Sequence, residues 1–183
     1  MNVFYDTNKI TSVAKNYIVL DTSVLFSCSS SIEYFNDFLH IFTDNTFLID
    51  PIVKLEFLRT SYIEKTYQEK SAFLNYERFL PVTDHQSIYL KVQEHAFNIA
   101  RIYSHQGKSQ VPLGDILITA RLSLYDDNRL FLTLDKEDYS SLLFDRIDIL
   151  TFEKMTPKSE VLESAQLLQF NSDKYKKALA KLP

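Results

Sequence analysis

The feature that most constrains the fold is a short apolar run, Tyr17 to Leu20, that ends in Asp21. No polar residue interrupts the run, and two small hydroxylated residues, Thr22 and Ser23, follow the aspartate. A continuous apolar run of this length is typical of a strand buried on both faces, as in a parallel sheet. Ligands of open α/β sheets bind at the carboxyl ends of strands, which is the position of Asp21. The alternative is that Asp21 only caps the next helix.

The pattern of an apolar run followed by an aspartate recurs twice, and helical patterns lie between these runs. Residues 46–49 lead to Asp50 and Pro51, and residues 130–134 lead to Asp135. Apolar residues at spacings of three and four predict amphipathic helices between them. The predicted helices cover residues 32–42, a segment led by Pro51, a polar stretch to about residue 79, residues 88–103, and a mostly apolar stretch from Asp115. Strands that alternate with helices predict an α/β fold with a parallel sheet.

The two ends of the chain have weaker patterns. We expect residues 1–16 to form an N-terminal extension, residues 17–155 to form the α/β domain, and residues 156–183 to form a C-terminal helical tail. Residues 148–150 are predicted to be a short edge strand, and one more helix is predicted beyond Pro157.

Composition excludes several classes of site. The 183 residues are enough for one domain with a substantial core. Two glycines exclude Gly-rich phosphate-binding loops, and the single cysteine, Cys28, excludes a disulfide framework and a Cys-based zinc site. The formal charge of −4 lacks the basic excess typical of nucleic-acid binding. Without a signal sequence or an apolar run of ~20 residues, we expect a cytoplasmic protein that does not contact membranes.

Four acidic residues from distant segments are candidates for one site. Asp21 and Asp135 end strands, Asp115 opens an apolar helix, and Glu56 lies among apolar residues in another helix. The carboxyl ends of parallel strands meet at one edge of a sheet, so these acids can converge. Clustered carboxylates repel each other unless a cation neutralises them, and Mg²⁺ or Mn²⁺ prefers oxygen ligands.

Each candidate also has a structural explanation. Glu56 can face solvent on one side of its helix, and an acid in the first helical turn, such as Asp115, is favoured by the helix dipole alone. The four histidines lack zinc-ligand spacing, and Cys28 has no histidine pattern that would activate it, so we expect an inert thiol.

Taken in order along residues 17–152, these segments resemble the PIN domain family. The matching pieces are Leu20-Asp21-Thr22-Ser23-Val24-Leu25, Glu56 in a Pro51-led helix, Gly114-Asp115-Ile116-Leu117-Ile118-Thr119-Ala120, and Thr133-Leu134-Asp135 followed by Asp138-Tyr139. The resemblance implies a three-layer Rossmann-like PIN fold with a central parallel sheet flanked by helices. It also implies an acidic pocket that binds Mg²⁺ or Mn²⁺ and hydrolyses RNA. Within the family, the chain is most similar to VapC-type toxins, which pair with a small antitoxin; a homodimer is a further expected assembly.

The resemblance also implies roles for individual residues. Asp21, Asp115 and Asp135 would be principal metal ligands, and Glu56 would hold a metal-bound water or a second ion. Ser23, where the family commonly has asparagine, and Thr133 would supply hydroxyls that orient the carboxylates.

Two points stay open in the comparison with the family. Asp138 competes with Asp135 as the fourth acid, and we favour Asp135 because the predicted strand leads directly to it. The acidic net charge requires local basic residues at the RNA, and we expect Lys54, Arg59 or Arg121 to contact phosphates.

Two other functions fit parts of the pattern. One is a catalytically silent PIN-like α/β binding module. The other is a haloacid-dehalogenase-like phosphatase, but that family requires a second aspartate two residues after the first, where this chain has Ser23.

Overall fold

The described residues form one seven-stranded sheet and eight helices. The structure, a computed structural model, describes residues 3–83, 86–108, 110–125, 129–135, 137, 139–155 and 160–183. The strands are β1 (Val3–Phe4), β2 (Tyr17–Leu20), β3 (Thr46–Ile49), β4 (Phe79–Pro81), β5 (Arg129–Thr133), β6 (Phe144–Met155) and β7 (Glu160–Phe170). The helices are α1 (Thr7–Ser12), α2 (Thr22–Ser30), α3 (Ile32–Ile41), α4 (Pro51–Arg59), α5 (Glu64–Leu74), α6 (Gln86–His105), α7 (Leu113–Leu122) and α8 (Ser172–Leu179).

The sheet is mixed, with one parallel and one antiparallel half. Its strand order is β1-β6-β7-β5-β2-β3-β4. Strands β5, β2, β3 and β4 are parallel, whereas β1, β6 and β7 pair antiparallel. The predicted α/β class is therefore confirmed, and the predicted parallel sheet accounts for the half that contains β2.

The central strands are buried on both faces, as their apolar runs predict. Ile18, Val19 and Leu20 in β2 and Leu130, Phe131 and Leu132 in β5 are all buried, and Leu20 lies opposite Leu132 in the register. Because the two strands are parallel, the residues that follow them leave the sheet at the same edge. From β2 the chain passes through α2 and α3 to β3 on one side, and β5 lies on the other side. Ligand crevices of open α/β sheets lie at such reversals of strand order.

Local signals define several helix ends. Asp50 accepts a hydrogen bond from the N–H of Ile52 at 2.8 Å and caps α4, which begins at Pro51 as predicted. Ser31 caps α3 through the N–H of Tyr34 at 3.2 Å. Helix α6 ends before Gly107, whose φ of 74° favours glycine. Helix α7 begins two residues before the predicted start at Asp115.

The predicted C-terminal helical tail is wrong over residues 160–170, which form β7. This strand lies inside the sheet, where Leu167 is opposite Leu132 of β5 and Ala165 is opposite Leu150 of β6. Strand β6 has 12 residues and is likewise an internal strand, not the short edge strand predicted over residues 148–150. Both strands form by pairing with each other and, on their other sides, with the distant strands β1 and β5, so tertiary pairing overrides the local preference of these residues.

The N-terminal segment and one short strand also join the sheet. Val3 in β1 is opposite Phe152 in β6, so the expected extension adds a strand to the same sheet. Strand β4 begins at Phe79, where the predicted polar helix ends, and pairs with β3 at the outer edge, where Pro81 is tolerated. No helix among the described residues is long and apolar enough to cross a membrane.

A buried ion pair joins the helices that carry two of the candidate acids. Arg121 Nε in α7 lies 3.2 Å from Oδ2 of Asp50, the cap of α4, and the two side chains are 5% and 1% exposed. The attraction within a buried ion pair offsets the cost of removing its charges from water only while both partners are present. It therefore fixes α4, with Glu56, against α7, with Asp115.

We expect Arg121→Met to lower the free energy of unfolding by about 3–5 kcal/mol, because it leaves the buried Asp50 carboxylate without its cation. Lys65→Met is the control, since it breaks an exposed pair with Glu69 and should change stability by less than about 0.5 kcal/mol. Urea denaturation at neutral pH measures both changes. Equal, small losses would mean that the buried pair does not hold α4 against α7.

Candidate acidic site

Asp21 lies at the carboxyl end of β2 and is held by three hydrogen bonds. Its Oδ1 accepts from the N–H of Thr22 at 2.8 Å, so Asp21 also caps α2. Its Oδ2 accepts from the hydroxyls of Ser23 at 2.5 Å and Thr133 at 2.7 Å. The side chain is 6% exposed. The two hydroxyls expected to orient carboxylates thus both contact Asp21.

Burial makes the charged form of Asp21 unfavourable. It raises the pKa of the Asp21 carboxyl above its ordinary value of 3.8; the hydrogen bonds from Ser23, Thr133 and Thr22 lower it, and the charge of Glu56 raises it further. In the described part of the chain, neither Asp21 nor Glu56 forms an ion pair. A nearby cation would therefore be electrostatically favourable here.

Glu56 points between α2 and α7. Its Oε2 accepts a hydrogen bond from the hydroxyl of Thr22 at 2.7 Å. Its Oε1 lies so close to Gly114 that a Cβ atom at that position would collide with it. Glu56 is half-buried and does not simply face solvent, and Gly114 is the residue before Asp115.

Asp115 is in the first turn of α7 and contacts a buried tyrosine. Its Oδ1 accepts a hydrogen bond from the hydroxyl of Tyr139 at 2.8 Å. Tyr139 belongs to the segment that follows β5, so this bond connects two elements that are distant in sequence.

Asp135 is connected to Asp21 through hydroxyl groups. Its N–H donates to Thr133 Oγ1 at 2.9 Å, and the same hydroxyl donates to Asp21. The N–H of Leu134 donates to Ser23 Oγ at 3.1 Å. These bonds fix the start of the segment after β5 against the start of α2.

Tyr139 contacts one of the four acids, Asp115, through its hydroxyl. Burial is the largest cause that raises the pKa of Tyr139, and the charges of Asp21, Asp115 and Asp135 raise it further. Glu56 acts in the same way on the pKa of Asp21. Hydrogen bonds made by Thr22, Thr133 and Tyr139 therefore link the segments that carry the four predicted acids at the carboxyl ends of β2 and β5.

The acids are not arranged as a finished metal site. Within the described ranges, no three His, Cys, Asp or Glu side chains form a group that could hold a metal ion. Asp138 lies outside the described residues, so the choice between Asp135 and Asp138 stays a prediction.

Sequence reasoning overlooked Thr22, Gly114 and Tyr139 as parts of the site. All three lie inside the matching segments, but no role followed from spacing because each acts on an acid from another segment. The one signal in the sequence that points to these residues is that each of them lies next to a candidate acid.

The expectation that Arg121 contacts RNA is wrong, because this side chain is buried against Asp50. Lys54 and Arg59 in α4 are exposed and stay candidates. Cys28 is buried, and burial raises the pKa of its thiol, as expected of an unreactive cysteine.

No protein-family model matches the sequence, and neither the curated proteins nor the solved structures compared with it give a match. The resemblance to PIN domains therefore depends on the residues of this chain alone. Any function assigned to the acidic site is a proposal.

We expect Asp21→Asn to raise the melting temperature of the metal-free protein at neutral pH by ~2–4 °C, or about 1 kcal/mol. Because the pKa of Asp21 is raised, the folded chain binds this proton more tightly than the unfolded chain. The resulting stabilisation is complete below the unfolded pKa near 3.8 and is lost as the pH rises through the higher folded pKa. Asparagine stays neutral and caps helices equally well.

Thermal melts in EDTA from about pH 8 to about pH 4 test this, and the difference between variant and wild type should shrink towards acid pH. Asp44→Asn changes an exposed aspartate before β3 and serves as the control. A lower melting temperature for Asp21→Asn at neutral pH would show that the carboxylate acts mainly as a structural cap.

We expect Gly114→Ala to displace Glu56 while changing the free energy of unfolding by less than about 1 kcal/mol. The new Cβ collides with the flexible end of Glu56, and alanine is favoured over glycine in a helix. Gly107→Ala is the opposite control: its Cβ meets nothing within 4 Å, but φ of 74° makes it destabilising. Crystal structures of both variants show the position of Glu56, and urea denaturation measures their free energies of unfolding. An unmoved Glu56 in Gly114→Ala would refute the close contact.

Proposed function

We propose that this protein is a metal-dependent endoribonuclease that hydrolyses RNA phosphodiester bonds, with a PIN-like fold and a VapC-like role. The observation that carries the proposal is the set of hydrogen bonds that link the segments of Asp21, Glu56, Asp115 and Asp135 at the carboxyl ends of β2 and β5. These acids come from four separate elements. None of the four acids belongs to the buried ion pair that holds α4 against α7, which Asp50 and Arg121 form.

The donor set suits a hard divalent cation. All the candidate ligands are carboxylate oxygens, which Mg²⁺ and Mn²⁺ prefer over sulfur and imidazole. Asp21, Asp115 and Asp135 would hold the cation, and Asp138 is the alternative to Asp135. When bound, such a cation activates water and offsets charge on the leaving oxygen of a phosphodiester.

The chain's own residues have distinct tasks in this reaction. The hydroxyls of Ser23 and Thr133 hold Asp21 in one orientation through its Oδ2. Glu56, which accepts a hydrogen bond from Thr22, would hold a water or a second ion. The buried position of Asp21 strengthens its attraction to positive charge.

RNA binding has to depend on local contacts because the formal charge of the whole chain is −4. The exposed Lys54 and Arg59 lie in α4, the helix that carries Glu56, and are suited to contact phosphates. Tyr62, just after α4, is 92% exposed and offers a surface on which an unpaired base can stack.

The VapC-like role extends this proposal to partners and architecture. It implies a cytoplasmic toxin restrained by a small antitoxin, a homodimer as its assembly, and three layers with helices on both faces of the sheet. The support is the order of the matching segments and the hydrogen bonds that link them.

A catalytically silent binding module is the second candidate. It is favoured by the absence of a finished metal-ligand group within the described ranges. A haloacid-dehalogenase-like phosphatase has less support, because Ser23 stands where that family requires an aspartate and its hydroxyl is bound to Asp21.

We expect the purified protein to cleave RNA in Mn²⁺, and EDTA to stop the cleavage. Asp21→Ala and Asp135→Ala should each lower the rate by roughly a hundredfold or more, because a lost ligand removes both water activation and charge stabilisation. Asp44→Ala removes an exposed acid that precedes β3, at the opposite edge of the sheet from the site, and should leave the rate unchanged. Gel-based cleavage assays with matched protein concentrations measure these rates.

Expression of the wild-type chain, but not of the Asp21→Ala variant, should arrest growth of a bacterial host. If the Asp21 and Asp135 variants cut RNA as fast as wild type, the activity belongs to a contaminant. If Mn²⁺ binds but no RNA is cut, the silent module replaces the nuclease.

A further inference from the structure

Tyr139 is held in place by its ring, independently of its hydroxyl. The ring centroid lies 4.6 Å from that of Phe131 in β5 and 5.9 Å from that of Phe144 in β6. The residue is 6% exposed. Aromatic contacts of this kind fix the direction in which the hydroxyl points.

The hydroxyl of Tyr139 is directed at a candidate ligand. It donates to Asp115 Oδ1 at 2.8 Å, and Asp115 adjoins the glycine that contacts Glu56. At the other end of the same segment, Asp135 is fixed by its N–H bond to Thr133 and by Gln166, whose amide donates to the Asp135 carbonyl at 3.2 Å. The segment after β5 therefore reaches Asp21 from one end and Asp115 from the other.

We propose that Tyr139 is a positioning residue that orients Asp115 for cation binding. This inference rests on the proposed function, since it assigns a role within the same acidic site. Tyr139 lies in one of the segments that match the family, but the resemblance gives it no role; the role follows from the bond between the Tyr139 hydroxyl and Asp115.

The physical argument concerns the freedom of the carboxylate. A half-buried aspartate in the first turn of a helix has several rotamers, and some of them turn its oxygens away from Asp21. A donor on a rigid, buried ring selects one rotamer before the cation arrives. Hydrogen bonds to metal ligands typically change metal affinity or activity by about 10–100-fold.

The competing explanation is that the ring of Tyr139 only fills the core against Phe131 of β5 and Phe144 of β6. Tyr139→Phe separates the two explanations, because it keeps the ring contacts and removes only the hydroxyl. Tyr34→Phe is the matched control: Tyr34 is also buried, its ring lies 4.4 Å from that of Phe152, and none of the four acids contributes to the shift of its pKa.

The experiment measures Mn²⁺ affinity by calorimetry and the melting temperature in EDTA for full-length wild type, Tyr139→Phe, Tyr34→Phe, Asp21→Asn and Asp115→Asn. Both tyrosine variants should lose a few degrees at most. We expect Tyr139→Phe alone of the two to weaken Mn²⁺ binding, by about tenfold or more. Added to Asp115→Asn, Tyr139→Phe should cause no further loss, because the hydroxyl acts through Asp115.

The outcomes separate this inference from the proposed function. If wild type binds Mn²⁺ and Asp21→Asn weakens binding, but Tyr139→Phe binds like wild type or no more weakly than Tyr34→Phe, then the positioning role is refuted and the metal site stands. The positioning role is also refuted if Tyr139→Phe weakens Mn²⁺ binding as much in the Asp115→Asn variant as it does in wild type. If wild type and Asp21→Asn show no Mn²⁺ binding at all, the proposed metal site fails, and the role of Tyr139 fails with it.

Discussion

The parallel pairing of β2 with β5 is the interaction on which the site depends. Leu20 lies opposite Leu132, and the N–H of Asp21 donates to the Leu132 carbonyl at 2.9 Å. This register places Asp21 beside Thr133, 112 residues away in the chain, so that the two side chains form a buried hydrogen bond. A shift of one residue would turn Thr133 to the other face of the sheet and remove that bond. The acidic site is thus a consequence of strand register.

Two strand-end aspartates with the same sequence pattern have different environments. Asp50 follows β3, caps α4 and forms a buried ion pair with Arg121. Asp21 follows β2 and caps α2, but its partners are hydroxyls and a backbone N–H, and a second carboxylate lies close by. Arg121 forms an ion pair with the first aspartate, whereas burial makes the charged form of the second aspartate unfavourable. That difference is the physical reason for proposing a cation beside Asp21.

The helices were predictable where a local signal specified them, and the strands where a continuous apolar run ends in an aspartate, namely β2, β3 and β5. The caps at Ser31 and Asp50 and the stop before Gly107 all act within a few residues, so α3, α4 and α6 could be identified. Strands β1, β4 and β7 could not, because short or mixed polar segments become strands only when a partner strand offers its edge. The prediction of a helical tail is wrong over residues 160–170 for this reason, since β7 pairs with β5 on the side opposite β2, whereas the helix α8 at Ser172–Leu179 agrees with it.

The sequence by itself determined the α/β class, the two buried runs that lead to Asp21 and Asp135, and the identity of the four candidate acids. These follow from local chemistry, namely continuous apolar runs, helical spacing and the position of an acid at the end of an element. Only the tertiary structure decided that Arg121 is an internal counterion, that Glu56 is held against Gly114 by Thr22, and that Tyr139 binds Asp115. Each of these contacts joins segments whose distance in the folded chain is set by strand order and helix packing, which no residue spacing encodes.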